Sequence, residues 1–115
     1  MRLMNRDKNL ALSEHVQLAQ SFSTRLFGLM GKKDMRSVDE TYLFQPCTSI
    51  HTCFMNFPID VIFLDKQKVV KKIYWNMKPW RFTKIHWSCD AALEFKSGYL
   101  NKTMIEEGDA LYVES

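Results

Sequence analysis

The chain has 115 residues and a mass of 13.6 kDa, and 46% of its residues are hydrophobic and 25% charged. This composition excludes a disordered chain and a collagen-like repeat, and the length predicts a single domain over residues 1–115. The net charge of +3 is uneven, because residues 66–84 hold seven Lys or Arg side chains and no acidic one. Three cysteines cannot all pair within one chain, so reduced thiols are predicted.

No stretch of the sequence predicts export or a membrane span. The N-terminus carries Arg2, Arg6, Asp7 and Lys8 in place of the apolar run of a signal peptide. The uncharged run 41–59 contains polar residues and two prolines, which fits burial inside the protein better than a lipid environment. We therefore expect a cytoplasmic protein, or a mature form whose targeting segment is absent, with no membrane partner.

The N-terminal third predicts a hairpin, an extended segment and a helix. Residues 2–5 and 10–12 flank a polar connection, which is typical of a short hairpin, and residues 16–19 are extended. Apolar side chains then recur at i, i+4, i+7 and i+8, which predicts an amphipathic helix of about two and a half turns ended by Gly31. The apolar residues of this helix are Phe22, Leu26, Leu29 and Met30.

Residues 50–65 predict the interior of the fold. Alternation over 50–55 places His51, Cys53 and Met55 on one face of a strand, and Pro58 interrupts it with a bend. Residues 59–64 are apolar on both faces, which predicts an interior strand rather than an edge strand. The polar loop that follows predicts an antiparallel hairpin over residues 59–75.

The remaining segments predict short strands separated by loops. Strands are expected over residues 41–45, 92–95 and 110–113, with a helical turn over 100–105 and a tight turn at 107–109. Residues 76–90 keep no clean period, which predicts a long loop with a short extended portion. Long loops in compact domains often carry binding residues.

Several short motifs, taken in order, resemble one protein family. They are Thr24 to Met30 (TRLFGLM), His51-Thr52 to Met55, Pro58 to Asp65 (PIDVIFLD), Leu93-Glu94 with Gly98, and Gly108-Asp109. On this pattern, residues 10–114 resemble the prokaryotic domain of unknown function 192, also called uncharacterised protein family 0127. The resemblance implies a mainly β (α+β) fold: a small antiparallel, partly closed barrel-like sheet with one short amphipathic helix packed on it. It implies no particular activity, since none is established for the family.

Cys, Met and His side chains could bind a soft metal ion, but their spacing in the sequence is not that of a metal site. The sequence has no Cys-x-x-Cys or His-x-x-x-His pair, and free Cys and Met are commonly buried, so we predict core packing, no metal and no cofactor. A Cys53 nucleophile assisted by His51 or His86 is a catalytic alternative. The residues considered are Cys47, His51, Cys53, Met55, His86 and Cys89.

Asp60 is a carboxylate in an apolar stretch, so it needs hydrogen-bond donors, a cation or a proton. Arg25 is the predicted partner, and a structural ion pair is favoured over a general acid or base. We expect Asp65 to cap the hairpin loop and Glu94 to be paired on its strand. Glycosidase chemistry would need two carboxylates across a cleft, and the sequence cannot place Asp60 and Glu94 in that way.

Basic and aromatic residues interleave over residues 66–87, as they do in single-stranded nucleic-acid grooves. The aromatic members include Trp75, Trp80 and Trp87, and no RNA-recognition, helix-turn-helix or zinc-finger signature accompanies them. The same residues also suit a hairpin and a packed loop. The cations of this candidate anion or nucleic-acid face are Lys66, Lys68, Lys71, Lys72, Lys78 and Lys84.

The leading hypothesis is a small binding or accessory domain rather than an enzyme, with a pocket near the central strand for a small ligand or peptide. Residues 79–81 would form the lip, where Trp80 covers the ligand and Arg81 grips an anion. The alternatives are nucleic-acid binding through residues 66–87 and a hydrolase-like enzyme using His51, Cys53 or Asp60. The predicted pocket residues are Arg25, His51, Thr52, Met55, Asp60, Trp80, Arg81 and Glu94.

Overall fold

The computed structural model describes residues 1–19, 40–53 and 55–115, and this part of the chain is mainly β, as predicted. Its strands form one sheet of three strands in the order β2-β1-β8 and one of five in the order β3-β4-β7-β5-β6. The strands are β1 (Arg2–Asn5), β2 (Leu10–Ser13), β3 (His15–Ala19), β4 (Glu40–Phe44), β5 (Ile59–Leu64), β6 (Val70–Met77), β7 (Ala91–Lys96) and β8 (Leu111–Glu114).

The sheet arrangement corrects the predicted single antiparallel, barrel-like sheet in two ways. The described strands form two sheets, linked at their edges by the Val16 N–H, which donates to Met1 O at 3.0 Å, and by a bridge between Val69 and Ala110. In addition, β3 pairs with β4 in parallel, whereas the other described pairs are antiparallel. Alternation in a short strand does not encode the direction of its neighbour, so the pattern could not reveal this.

The predicted helix over residues 22–30 and its stop at Gly31 lie outside the described residues. Within the described ranges, no helix is long and apolar enough to span a membrane. The cytoplasmic location stays a prediction.

The hairpins and short strands that local patterns predicted are confirmed. β1 pairs with β2, and β5 pairs with β6 around a turn that Asp65 caps, since its Oδ1 accepts hydrogen bonds from Gln67 N at 2.9 Å and Val69 N at 3.0 Å. The expected helical turn near residue 100 is one hydrogen-bonded turn, with Met104 N donating to Asn101 O. Gly108 follows with a φ of 96°, which glycine adopts without steric cost.

The predicted strand over residues 50–55 is wrong. The described backbone turns there, with Met55 N donating to Thr52 O at 3.2 Å, and His51 makes an isolated bridge to Phe82. His51, Cys53 and Met55 therefore do not line one strand face. The alternation had a different cause, because this segment covers the sheet and buries some side chains while leaving others at the surface.

The five-stranded sheet buries side chains on both faces. The first cluster lies on the face toward the three-stranded sheet and joins Leu3, Leu12 and Leu111 to Ile62 and Leu93. The second cluster lies on the opposite face, under the loops, and its buried members are Tyr42, Phe44, Ile50, Met55, Phe57, Ile59, Val61, Phe63, Met77, Cys89 and Ala92. All six residues of β5 are buried, and β5 lies between β7 and β6, which confirms the predicted interior strand.

A β-bulge opposite Asp60 explains why a carboxylate occupies this strand. The register jumps between Ile59 and Val61, and Asp60 Oδ1 accepts a hydrogen bond from the N–H of Asn76 at 2.7 Å. Asn76 has a φ of 53°, and its side-chain oxygen accepts a hydrogen bond from the Ser97 hydroxyl at 2.8 Å. Burial raises the pKa of Asp60, and the N–H groups of Asn76 and Gly98 partly oppose that shift. Asp60 thus satisfies the backbone of the bulge.

Asp60→Asn is expected to gain stability relative to the wild type as pH rises from about 3 to about 7. Above the ordinary Asp pKa of 3.8 the unfolded chain releases its proton before the folded chain does, so the wild type loses stability until the raised pKa is passed. The amide of the variant does not titrate. Urea unfolding at the two pH values measures the difference.

Asp65→Asn provides a control of opposite sign. The N–H of Val69 holds the pKa of Asp65 below its usual value against the effect of burial, with help from Gln67 N–H and Lys71. The wild type keeps that stabilisation above pH 3.8 and loses it in acid. The free energy of unfolding of Asp65→Asn, relative to that of the wild type, should therefore fall as pH rises. A stability difference for Asp60→Asn that stays constant with pH would contradict the role given to Asp60.

Candidate functional site

The segment after β6, residues 78–87, is an irregular loop that we call the aromatic loop. It pairs with residues 48–52 through four backbone hydrogen bonds of 2.8–3.1 Å, so it is irregular without being loosely attached. The donor and acceptor pairs are Thr52 N to Arg81 O, Trp80 N to Thr52 O, Thr83 N to Ile50 O, and His86 N to Thr48 O. The predicted long loop with a short extended portion therefore exists, and it is tied to the segment that covers the sheet.

The side chain of Thr52 also joins the two segments. Its hydroxyl donates to Lys78 O at 2.6 Å and accepts from Arg81 N at 2.9 Å, and its side chain is fully buried. Ile50 N also donates to the hydroxyl of Thr83 at 3.0 Å. Thr52 and the buried Met55 were predicted to line a pocket, and the structure places both in the interior.

The outer side of the aromatic loop exposes large apolar side chains. The exposed fractions are 82% for Trp87, 74% for Phe82, 55% for Trp80 and 48% for Ile85. Lys78, Arg81 and Lys84 are interleaved with them and are also exposed. Apolar side chains scattered singly on a surface are ordinary, but four within eight residues form the kind of patch that marks an interaction site. Trp75, which the sequence grouped with them, is partly buried against the first cluster.

The backbone and ring contacts of the loop hold this patch in place. Trp80 has a φ of 65°, a left-handed conformation that is rare for a large side chain and costs about 1–2 kcal/mol. The His51 ring lies 5.9 Å from the ring of Phe82, and its Nδ1 accepts a hydrogen bond from Cys53 N at 3.2 Å. Strained residues of this kind cluster at binding and catalytic sites.

Beneath the loop, His86 and Tyr74 form a pair that the sequence did not reveal. The Tyr74 hydroxyl lies 2.7 Å from His86 Nε2, and the imidazole lies on Phe63 with ring centres 4.5 Å apart. Burial lowers the pKa of His86, and the charges of Lys84 and Lys72 lower it further. Burial also raises the pKa of Tyr74, although the backbone of Lys84 opposes this. The only signal was alternation along β6, which puts Tyr74 on the face of the second cluster.

The two predicted pocket carboxylates lie on opposite faces of the sheet. Asp60 is opposite Phe95 in the β5–β7 register, and Glu94 is opposite Val61. Because paired residues share a face, Asp60 lies on the side of the first cluster and Glu94 on the side of the second. The sheet therefore separates Asp60 from the aromatic loop, and Arg25 lies outside the described residues.

The sulfur and imidazole groups are dispersed. Cys47 Sγ donates to Ser49 O at 3.3 Å, and burial raises the pKa of the buried Cys89 thiol. In the described residues no group of three or more His, Cys, Asp or Glu side chains is arranged to hold a metal ion.

The cations of the predicted basic face spread along β6. Lys66 and Lys68 lie in the turn before it, Lys71 Nζ is 3.6 Å from Asp65, and Lys78 follows its other end. The seven residue steps of β6 span roughly 23 Å at 3.3 Å per residue. Lysines and bulges on a strand at the edge of a sheet also discourage unwanted strand pairing, so the cations of β6 have a structural explanation.

Thr52→Val is expected to lower the free energy of unfolding by about 1–3 kcal/mol, because Arg81 N–H and Lys78 C=O lose their partner in a buried place. Urea unfolding measures the loss, and amide exchange at residues 78–86 locates it. The exposed Thr103→Val should change stability by less than about 0.5 kcal/mol. Unchanged exchange in the aromatic loop of Thr52→Val would contradict the role of this hydroxyl.

Acidification is expected to destabilise the wild type more than His86→Phe. The pKa of His86 is below 6.5 in the folded chain, so the unfolded chain takes up a proton first as pH falls through 6.5. Urea unfolding at about pH 7.5 and about pH 5.5 measures the difference. An acid sensitivity of His86→Phe equal to that of the wild type would contradict a partly buried His86 with a lowered pKa.

Known proteins resemble this chain in sequence and in fold. The family model of domain of unknown function 192, described as an uncharacterized ACR, matches residues 3–113. A UPF0127 protein of Pyrococcus horikoshii is 39% identical over 83 residues, which are 69% of this chain and 70% of that protein.

Two crystal structures are similar in fold. A Novosphingobium aromaticivorans protein of unknown function has a TM-score of 0.76 at 20% identity, covering 97% of this chain and 82% of its own. A Sinorhizobium meliloti protein, provisionally named a transcription regulator, has a TM-score of 0.75 at 23% identity, covering 96% and 89%. At these identities the likeness concerns the fold alone. The family match covers nearly the whole chain, and the protein therefore belongs to the domain of unknown function 192 family, also called uncharacterised protein family 0127.

Proposed function

We propose that this protein is a binding module without catalytic activity and that it contacts an anionic partner through the aromatic loop. The observation that carries the proposal is the outward exposure of Trp80, Phe82, Ile85 and Trp87 on a loop fixed to the body of the fold. Aromatic side chains bring large contact area with few rotatable bonds, and they dominate many binding surfaces.

The attachment of the loop supports binding. The backbone of residues 78–87 is already ordered by its bonds to residues 48–52 and by the Thr52 hydroxyl. A partner would therefore meet a preformed surface, and less of the interaction would be offset by the entropy of ordering a flexible segment.

The sign of the partner's charge follows from the neighbouring cations. Lys78, Arg81 and Lys84 are exposed, and no acidic residue occurs from position 66 to position 89. An anionic partner gains electrostatic attraction from this surface, and a cationic one is repelled.

Two of the residues offered for catalysis, Asp60 and His51, have structural partners. Asp60 binds the backbone of the bulge, and His51 Nδ1 accepts a hydrogen bond from Cys53 N. Asp60 and Glu94 lie on opposite faces, so they do not form a pair across a cleft. These contacts favour binding over hydrolysis.

The test is a titration of the intact protein with three anionic probes: a single-stranded oligonucleotide, a polyglutamate peptide and vesicles that contain phosphatidylglycerol. The oligonucleotide is included because of the name of the Sinorhizobium meliloti protein and because of the basic residues 66–87. We expect saturable binding to at least one probe, seen as a change in tryptophan fluorescence and in co-sedimentation or gel shift.

The double variant Phe82→Ser and Trp87→Ser should weaken that binding by about tenfold or more, since each change removes a large contact. Leu18→Ser is the matched control, because Leu18 is also an exposed apolar side chain but lies on β3. The proposal would be overturned if the protein bound none of the three probes, or if the double variant bound as strongly as the wild type.

A further inference from the structure

We infer that the anionic partner of the aromatic loop is the surface of a membrane that contains acidic lipids, which the loop contacts from outside without spanning it. This inference rests on the proposed function and names the partner.

Phe82 and Trp87 project from the surface. A ring that acts as a stacking platform for a base presents one of its faces to that base. Phe82 is 74% exposed and Trp87 is 82% exposed, so most of each residue is open to the surroundings. Such rings can enter the headgroup region of a bilayer, where tryptophan and phenylalanine gain apolar contact on all sides.

Ile85 distinguishes a lipid partner from a nucleic acid. It is exposed to 48% between Lys84 and His86, and an aliphatic side chain has no π face on which a base can stack. In an acyl-chain boundary the same side chain is as favourable as an aromatic one, because the contribution depends on the apolar area removed from water. Trp, Phe and Ile together therefore fit an interfacial contact better than a stacking groove.

Charge complementarity identifies the lipid class. Lys78, Arg81 and Lys84 alternate with the projecting apolar residues, so insertion of the rings brings three cations to the level of the headgroups. Acidic headgroups attract basic side chains over about one Debye length, whereas zwitterionic headgroups offer no net charge. Lys72, close to His86, adds a further positive charge beside the loop.

A membrane contact of this kind does not need an apolar span. The sequence predicted no membrane partner because residues 41–59 do not form a spanning segment. Interfacial contact depends on which side chains face outward, and that property appears only when Thr52 and the backbone bonds hold the loop in its folded shape.

The experiment is co-sedimentation of the intact protein with sucrose-loaded vesicles, with a blue shift of tryptophan emission as a second readout. One set of vesicles is phosphatidylcholine alone, and the other contains phosphatidylglycerol at about one lipid in three. We expect binding to the anionic vesicles that is at least about tenfold stronger than binding to phosphatidylcholine and that weakens as salt is added.

Two pairs of variants separate the contributions. Phe82→Ser with Trp87→Ser should weaken binding by about tenfold or more, and Leu18→Ser should leave it unchanged. Arg81→Gln with Lys84→Gln should remove most of the preference for anionic vesicles, whereas Lys66→Gln with Lys102→Gln, which removes the same charge at sites outside the loop, should remove less of it. Thermal unfolding of each variant establishes that it is folded.

The outcomes separate this inference from the proposed function. Binding to the oligonucleotide or to polyglutamate, but not to anionic vesicles, with loss in the Phe82 and Trp87 variant, would overturn the membrane partner and leave the proposed function standing. Equal binding to both kinds of vesicle, or vesicle binding that the loop variants do not change, would overturn the inference. A protein that bound none of the three probes would overturn both the inference and the proposed function.

Discussion

The structure depends on burying β5 on both of its faces. All six residues of this strand are inaccessible to solvent, and an apolar strand of this kind is stable only between two partner strands and under two layers of cover. The partner strands are β7 and β6. One layer is the three-stranded sheet, whose Leu3, Leu12 and Leu111 pack on the side of Ile62 and Leu64. The other layer is irregular chain, whose Ile50, Met55 and Phe57 pack with Phe63 on the opposite side.

The irregular chain that covers β5 must satisfy its buried backbone groups without the regular hydrogen bonds of a sheet. Its buried N–H and C=O groups cannot form a regular ladder, so each needs a specific partner. The pairing of residues 48–52 with the aromatic loop meets this requirement, and the buried Thr52 hydroxyl supplies the partners that the backbone cannot. With its inner side used in this way, the aromatic loop has only its outer side left for other molecules. The exposed rings of Phe82 and Trp87 lie there, on a backbone that the interior holds in place.

Two buried aspartates, Asp60 and Asp109, have pKa values shifted in opposite directions, because their hydrogen-bond donors differ. Asp60 has two backbone N–H groups near it, and burial still raises its pKa. Asp109, which is also buried, has its pKa lowered, because Asn5, the N–H of Glu106 and the charge of Lys8 together outweigh the effect of burial. Asp109 accepts hydrogen bonds from a side-chain amide and a backbone N–H and lies beside a cation, whereas the groups that lower the pKa of Asp60 are two backbone N–H groups. Asp109 thereby links β1 and the turn before β8, whereas Asp60 holds the bulge between β5 and β6.

The sequence by itself determined the short-range features: the β1–β2 and β5–β6 hairpins, the double burial of β5, the cap at Asp65 and the family. These depend on neighbours in the chain, because alternation, turn residues and motif order are local properties. Only the tertiary structure decided that β3 and β4 are parallel, that the sheet separates Asp60 from Glu94, and that Thr52 faces inward while Phe82 and Trp87 face outward. The physical reason is that the direction of a strand and the exposure of a ring depend on which distant segments pair with it or cover it, and no local period records that choice.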